Sequence, residues 1–275
     1  MKRRLVIFSF LFLLSFVAAH AQQKNTLRYE VMLNGNMTDS LKRIKFINCL
    51  DISPDRYIAI ASSGKMYLLG WGGMSQLGKK SELPISSYAF TSEGLLMVVR
   101  GKSLCYIGRS GTYKEIVKLP SSDMGIAGGK AVVYLFDRNK KDKRYMLYAY
   151  AKGGVYNELL VSPKPVSAVV EMSDSVYVAI GSGVYSYSPS VKNVSLVVGL
   201  QKGNEIVSMT VDPDRNILFL STKDTIYAIK DQSFVKVTGD FGGGIIKYFN
   251  NGLIVFSPGN QSITRIVNIA DSLIF

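Results

Sequence analysis

The sequence predicts an all-β protein, a six-bladed β-propeller of four-stranded antiparallel blades whose ring is closed by an N-terminal strand. Three observations carry this expectation. Short β-branched and aromatic runs alternate with clusters of Gly, Pro, Asn, Asp and Ser, and no long stretch holds a helical period. An apolar-[Tyr/Cys/Thr]-x-apolar element recurs from Met66, Leu104, Leu147, Val184, Ile226 and Ile263, at spacings of 38, 43, 37, 42 and 37 residues. A strand, a tight turn and a second strand precede each copy in step. Four antiparallel strands in about forty residues make one propeller blade. A two-sheet sandwich would account for the strand content but not for the sixfold spacing.

The chain begins with a segment that reads as an address. Lys2, Arg3 and Arg4 precede an apolar run over 5–19 that only Ser9 and Ser15 interrupt, and Ala19-His20-Ala21 fits a small-x-small cleavage site. The run is shorter than the ~20 residues a spanning helix needs. No cysteine stands at the cleavage point to take a lipid, and no second run of spanning length follows. Residues 1–21 are therefore expected to be a cleavable signal peptide and 22–275 a single propeller domain. The expected product is exported, periplasmic or secreted, monomeric and without a transmembrane segment.

The blades are then expected at about 46–83, 84–120, 121–163, 164–202, 203–241 and 242–275, the last completed by 27–33. Each opens with a hairpin whose turn is Pro54-Asp55, Glu93-Gly94, Gly128-Gly129, Ser173-Asp174, Pro213-Asp214 or Asn251-Gly252. These pairs supply a fixed φ or tolerate a positive one. The second strand of each unit (YIAIA, LLMVV, AVVYLF, VYVAI, ILFL, LIVF) is almost continuously apolar, as a strand covered on both faces must be. Fourth strands are weaker, at 113–119, 155–161, 194–200 and 234–238. Little chain is left after Ile269, so the outer strand of the last blade is assigned to 27–33 rather than to 272–275. Closure of this kind removes an exposed sheet edge.

SPDRYIAIASSGKMYLLG and DPDRNILFLSTKDTIYAIK resemble TolB-like and NHL-like propeller repeats, with Arg56 and Arg215 where that pattern prefers Gly. The resemblance implies a fold and a binding scaffold compatible with export, not a reaction. Similar blades occur in sensor propellers and in calcium-dependent lactonases. The latter hold their metal with carboxylates and amides at the axial ends of the inner strands, where Asn48, Asp51, Glu171 and Glu205 are the nearest candidates here.

Composition narrows the chemistry further. The chain carries 33 Lys+Arg against 20 Asp+Glu and a single histidine. Loss of 1–21 would leave a net +10 and no imidazole, which removes Ser-His-Asp and Cys-His catalysis and any His-ligated metal site. Cys49 and Cys105 lie in apolar strands of different repeats and read as buried, inert thiols. The Pro-Asp turns read as geometry. The glycines at 242–244 read as a connector, since no phosphate-loop spacing or helix follows. Trp71-Gly72-Gly73 reads as the turn into a fourth strand, and Tyr67, Tyr106, Tyr148, Tyr185 and Tyr227 as packing between blades. No Ser-x-Asp-x-Gly-x-Thr-Trp box is present. Asp39-Ser40-Leu41, Asp174-Ser175-Val176, Asp224-Thr225-Ile226 and Asp271-Ser272-Leu273 match a short bacterial O-glycosylation pattern that is also ordinary turn chemistry.

Charge becomes informative once it is placed on blades. The loops between second and third strands share one face with the connectors between blades, and hold Lys65, Arg100, Lys102, Arg138, Lys140, Lys141, Lys143 and Arg144 for a net +6. The opposite turns sum to −2. The functional expectation is a non-catalytic binding or protein-interaction module whose basic loop face attracts a protein, an acidic glycan or a lipid headgroup. Nucleic acid is not expected, because no basic-aromatic motif accompanies the loops, and no cofactor is expected. The alternative is a calcium-assisted, lactonase-like hydrolase working from the axial channel.

Overall fold

The computed structural model describes residues 28–33, 47–70, 73–108, 110–138, 142–151, 154–231, 233–238, 244–259, 261–273 and 275, with side chains not described at 28–33, 47–49, 73, 155 and 270. The expected export signal, Asp39-Ser40-Leu41, Trp71-Gly72, Lys140, Lys141 and Gly242-Gly243 lie outside the described residues, as do the side chains of Asn48 and Cys49.

Among the described residues, twenty-four strands form six four-stranded antiparallel sheets. Blade 1 is β1's successor set, β2 (Ile47–Ile52), β3 (Ile58–Ser62), β4 (Lys65–Gly70) and β5 (Gly73–Leu77), where β1 is Arg28–Leu33. Blade 2 runs β6 (Ile85–Phe90), β7 (Leu96–Arg100), β8 (Ser103–Ile107), β9 (Tyr113–Lys118). Blade 3 runs β10 (Met124–Gly128), β11 (Val132–Asp137), β12 (Tyr145–Ala151), β13 (Val155–Ser162). Blade 4 runs β14 (Val166–Met172), β15 (Ser175–Ile180), β16 (Gly183–Ser188), β17 (Asn193–Gly199). Blade 5 runs β18 (Ile206–Asp212), β19 (Ile217–Thr222), β20 (Ile226–Lys230), β21 (Ser233–Thr238). Blade 6 contributes β22 (Ile245–Phe249), β23 (Gly252–Ser257) and β24 (Ser262–Val267), and takes β1 as its fourth strand, in the order β1-β24-β23-β22.

The ring is thus closed by the N-terminal strand, in register from Arg28 opposite Val267 to Leu33 opposite Ile263. The chain end that follows is a helical turn, α1 (Ile269–Ser272), rather than a strand. Asn268 precedes it with φ 58°, which turns the chain off the sheet and ends the ladder.

Six hydrophobic clusters hold the ring, and each lies between two neighbouring blades. Leu104 and Met97 of blade 2 meet Leu135 and Met146 of blade 3. Phe219 of blade 5 meets Leu253 and Val255 of blade 6, and Leu50 and Ile60 of blade 1 close the circle against Phe256 and Ile263. The second strands sit in the middle of these layers; β3 and β19 are buried along their whole length. A two-sided apolar strand is therefore the direct product of stacking sheet on sheet, each large aliphatic gaining roughly 1.5–3 kcal/mol on burial. Tyr67, Tyr106, Tyr148 and Tyr227 pack into these clusters as expected, whereas Tyr185 lies on the side wall beside Gly183.

Inner strands are fastened to one another by short polar side chains. Ser87 Oγ of β6 accepts from Ile126 N of β10 at 3.2 Å, Ser208 Oγ of β18 accepts from Ile246 N of β22 at 3.1 Å, and Thr210 Oγ1 accepts from Tyr248 N at 2.9 Å. Asp51 Oδ2 accepts from Phe90 N at 2.7 Å in the same manner. A register shift recurs in β2, β6, β14 and β18, just before Cys49, Ser87, Ala168 and Ser208. Gly128 belongs to this seam: a side chain there would collide with the Phe90 carbonyl oxygen, so the residue permits the close approach of blades 2 and 3.

Candidate functional site

The loops between second and third strands are pinned to the connectors between blades. Ser81 N donates to Gly64 O at 2.7 Å, Gly101 N to Pro84 O at 2.9 Å, Leu119 N to Lys102 O at 2.9 Å, and Ile206 N to Gly181 O at 2.8 Å. These bonds put both kinds of segment on one face, which we call the loop face. The axial channel opens there as a cavity of about 440 Å³, lined by residues of all six inner strands. Leu50, Tyr88, Ile126, Val169 and Met209 make its wall largely apolar, and Ser87, Ser167, Ser208, Arg138, Glu205 and Lys247 supply the polar groups.

Among the described residues of the predicted basic set, Arg138 alone lines this channel. It follows β11 in the loop over 137–144, and its Nη2 donates to Ser87 Oγ at 3.3 Å across the blade boundary. Its guanidinium lies 5.8 Å from the centroid of the Phe136 ring, a cation–π distance that orients the planar group. Ser87 thus joins the arginine to the Ile126 amide, so the cation is positioned by both neighbouring blades.

The other described members of that set do not converge with it. Arg100 Nε donates to Ser81 Oγ at 2.7 Å, and the guanidinium lies 5.0 Å from the Tyr113 ring centroid, over the outer strand of blade 2. Lys65 is half-buried beside its turn, while Lys102, Lys143 and Arg144 are exposed on the loop face. Lys143 has φ 54°, which helps fold the loop back toward β12.

The candidate carboxylates also stand apart. Asp51 pairs with Lys247 Nζ at 2.8 Å, near the turn end of β2. Glu171 lies near the turn end of β14, where Oε2 accepts from Lys130 N at 2.8 Å and Tyr134 Oη at 3.4 Å. Burial, reinforced by Glu171, pushes the Tyr134 hydroxyl well above its ordinary pKa. Glu205 precedes β18 at the opposite, connector end. Among the described residues, no three His, Cys, Asp or Glu side chains are grouped to hold a metal ion. Cys105 is a free, buried thiol, and burial raises its pKa, so it stays a protonated small hydrophobe near neutral pH.

Sequence reasoning missed Lys247 and Ser87. Ser87 is the polar residue just after the bulge of β6, a place that Ser208 takes in β18, and it emerges only after those strands are aligned by their bulges; β22 has no such bulge, so Lys247 carried no equivalent signal. Two glycosylation candidates take on structural roles. Thr225 is buried, its amide donating to Thr222 Oγ1 at 3.2 Å, and Ser272 Oγ donates to Ile269 O at 2.8 Å inside α1.

No known protein family and no curated protein matches the chain by sequence. Solved structures define the fold class: this is a six-bladed β-propeller, the fold also of a gluconolactonase and of an auxiliary nutrient binding protein. A gluconolactonase from Xanthomonas campestris superimposes with a TM-score of 0.71 at 9% identity, covering 91% of this chain and 92% of that one. An auxiliary nutrient binding protein from Bacteroides thetaiotaomicron gives 0.65 at 11% identity, over 88% and 76%. The extracellular domain ascribed to a hybrid two-component system of B. thetaiotaomicron gives 0.59 at 13%, over 87% of this chain and 39% of that one. At these identities the likeness is one of fold. No helix among the described residues is long and apolar enough to cross a membrane.

Proposed function

We propose that the protein is an exported, non-catalytic binding module that holds an anionic partner, an acidic protein surface, glycan or lipid headgroup, on its loop face. Residues 1–21 serve as the export signal in this reading. The observation that supports it is Arg138. Its guanidinium is oriented by Ser87 and Phe136 at the mouth of the 440 Å³ channel, with Lys102, Lys143 and Arg144 exposed on the same face. A fixed cation above an apolar-walled cavity recognises a negative group and leaves room for the body that carries it.

The test replaces Arg138, Lys140, Lys141, Lys143 and Arg144 together by Ser and follows retention of the chain starting at Gln22 on a heparin matrix at rising salt. A control replaces five cations elsewhere, Arg56, Lys114, Lys192, Lys230 and Lys236, which lie on the outer strands, on the opposite turns and, for Lys230, at the end of β20. Loss of the loop cations should lower the eluting salt far more than the control does, because each phosphate- or sulfate-like contact contributes its own salt dependence. Equal shifts in the two variants would show that net charge alone governs retention and would overturn the reading.

A further inference from the structure

The axial channel carries its charge on two opposite walls. The first strands of the blades stand around it in the order β2, β6, β10, β14, β18 and β22, so β6 and β18 face each other. Arg138 leans on β6 through Ser87. Glu205 lines the same cavity from the residue before β18. Its place is set by the next residue, since Ile206 N donates to Gly181 O at 2.8 Å. Among the described residues no hydrogen bond or ion pair occupies the Glu205 carboxylate, and it does not meet Arg138. Lys247, the other described cation of the lining, is neutralised by Asp51 at 2.8 Å.

An anion alone in this channel satisfies Arg138 and is repelled by Glu205, whereas a ligand with one charge of each sign satisfies both. Separation is the next constraint. Packed sheets stand roughly 10 Å apart, so opposite strands in a ring of six are at most about 20 Å apart, and the two side chains take up part of that span. A single α-amino acid carries both charges on one carbon and cannot reach both walls. An extended peptide gains roughly 3.3–3.6 Å per residue, so about two to four residues bridge what is left. The space between the charges is apolar. Leu50, Ile126, Val169 and Met209 line it, and Val207, two residues from Glu205, is 38% exposed although it lies in an inner strand. A volume of about 440 Å³ is ordinary for a site that takes a small ligand.

We infer that the channel binds a short apolar peptide with free ends, its C-terminal carboxylate on Arg138 and its N-terminal ammonium on Glu205. This rests on the reading that Arg138 holds a negative group, and it adds which molecule carries that group into the channel. The guanidinium presents paired N–H donors to a carboxylate, and the Glu205 carboxylate accepts from an ammonium. Charge complementarity at two fixed points selects the occupant: a molecule with either end blocked keeps only one contact, and one with adjacent charges reaches only one wall.

Calorimetric titration of the chain from Gln22 onward with the tripeptide Ala-Leu-Ala tests this, beside its N-acetylated form, its C-amidated form and free leucine. The free-ended tripeptide should bind, and both blocked forms and leucine should bind about tenfold or more weakly, since each loses a charged hydrogen bond. Glu205→Gln should weaken the free-ended tripeptide by a similar factor and leave the acetylated form unchanged. Arg138→Ser should weaken the free-ended tripeptide likewise and leave the amidated form unchanged. Such a cycle ties one end of the ligand to one residue, which a variant that merely folds badly does not reproduce. No binding of Ala-Leu-Ala overturns the inference, and so does equal affinity for its free and acetylated forms. Heparin retention reports the anionic reading separately, so the two can fail independently.

Discussion

Asp212 does more than its place before a Pro-Asp turn implies. It is fully buried, and Oδ1 accepts from the amides of Asp214 at 3.1 Å and Arg215 at 3.3 Å. Its Oδ2 faces Arg215 Nη1 at 3.2 Å, and the same guanidinium reaches Asp271 Oδ1 in α1 at 3.1 Å. Arg215, a departure from the repeat's glycine, is thus a latch between blade 5 and the chain's C-terminal turn. The other departure has a different cause: Arg56 adopts φ 69°, a backbone conformation that glycine would take freely. Replacing Asp212 by Ala strands two amides and releases the latch, which should cost about 2 kcal/mol and lower the melting temperature, with Asp212→Asn costing less because Oδ1 remains. Alkaline pH acts on the same neighbourhood. Burial, aided by Asp212, pushes the Tyr248 hydroxyl up to about 12, and burial raises Tyr134 and Tyr156 as well. Their unfolded counterparts lose protons near pH ~10, so the folded state holds more protons above that point. This contribution is complete below pH ~10 and should be lost as pH rises from there toward ~12. Chemical unfolding midpoints measured from about pH 8 to 11 should fall only above ~10, while tyrosinate absorbance rises.

At the scale of elements, the strands that a single-chain pattern reveals are those with two buried faces. The apolar second strands and their turns were legible because burial on both sides leaves no polar alternation to confuse. Outer strands were less so: β5 was anticipated only as the region after Trp71, since a solvent-facing strand has no composition of its own. The assignment of 27–33 to blade 6 rested on edge closure, and β1 does pair with β24. That closure has a measurable consequence. A chain lacking 22–33 keeps β22, β23 and β24 but bares the edge of β24, whose Ile263 and Ile266 are fully buried in the intact ring. It should melt at a lower temperature, unfold with reduced cooperativity and self-associate through the new edge, all checked by calorimetry and light scattering.

For the whole molecule, six interblade clusters distribute the core evenly, so no single blade owns a core. The loop face was legible as a sum of charges, because propeller topology alone sends second-to-third strand loops and connectors to one side. That sum treated its members as equivalent. In three dimensions Arg100 is committed to Ser81 and Tyr113, while Arg138 lines the channel, so removal of Arg138 should weaken anionic retention more than removal of any exposed lysine on that face. Single Arg138→Ser and Lys102→Ser chains on the same heparin matrix give the comparison.

The sequence by itself determined the repeat, the number of blades, the all-β class and the side on which positive charge gathers. Each of these follows from local chemistry repeated at a fixed interval: turn residues, β-branched runs and the sign of side chains in loops. Only the tertiary structure decided which cation meets the channel, that Asp51, Glu171 and Glu205 stand apart, that Arg215 ties the last turn to blade 5, and that Glu205 lines the wall opposite Ser87 and Arg138. Those facts depend on contacts between residues tens of positions apart. They are set by the register of one strand on another and by the stacking of one blade against the next, and neither is written in the spacing of the repeat.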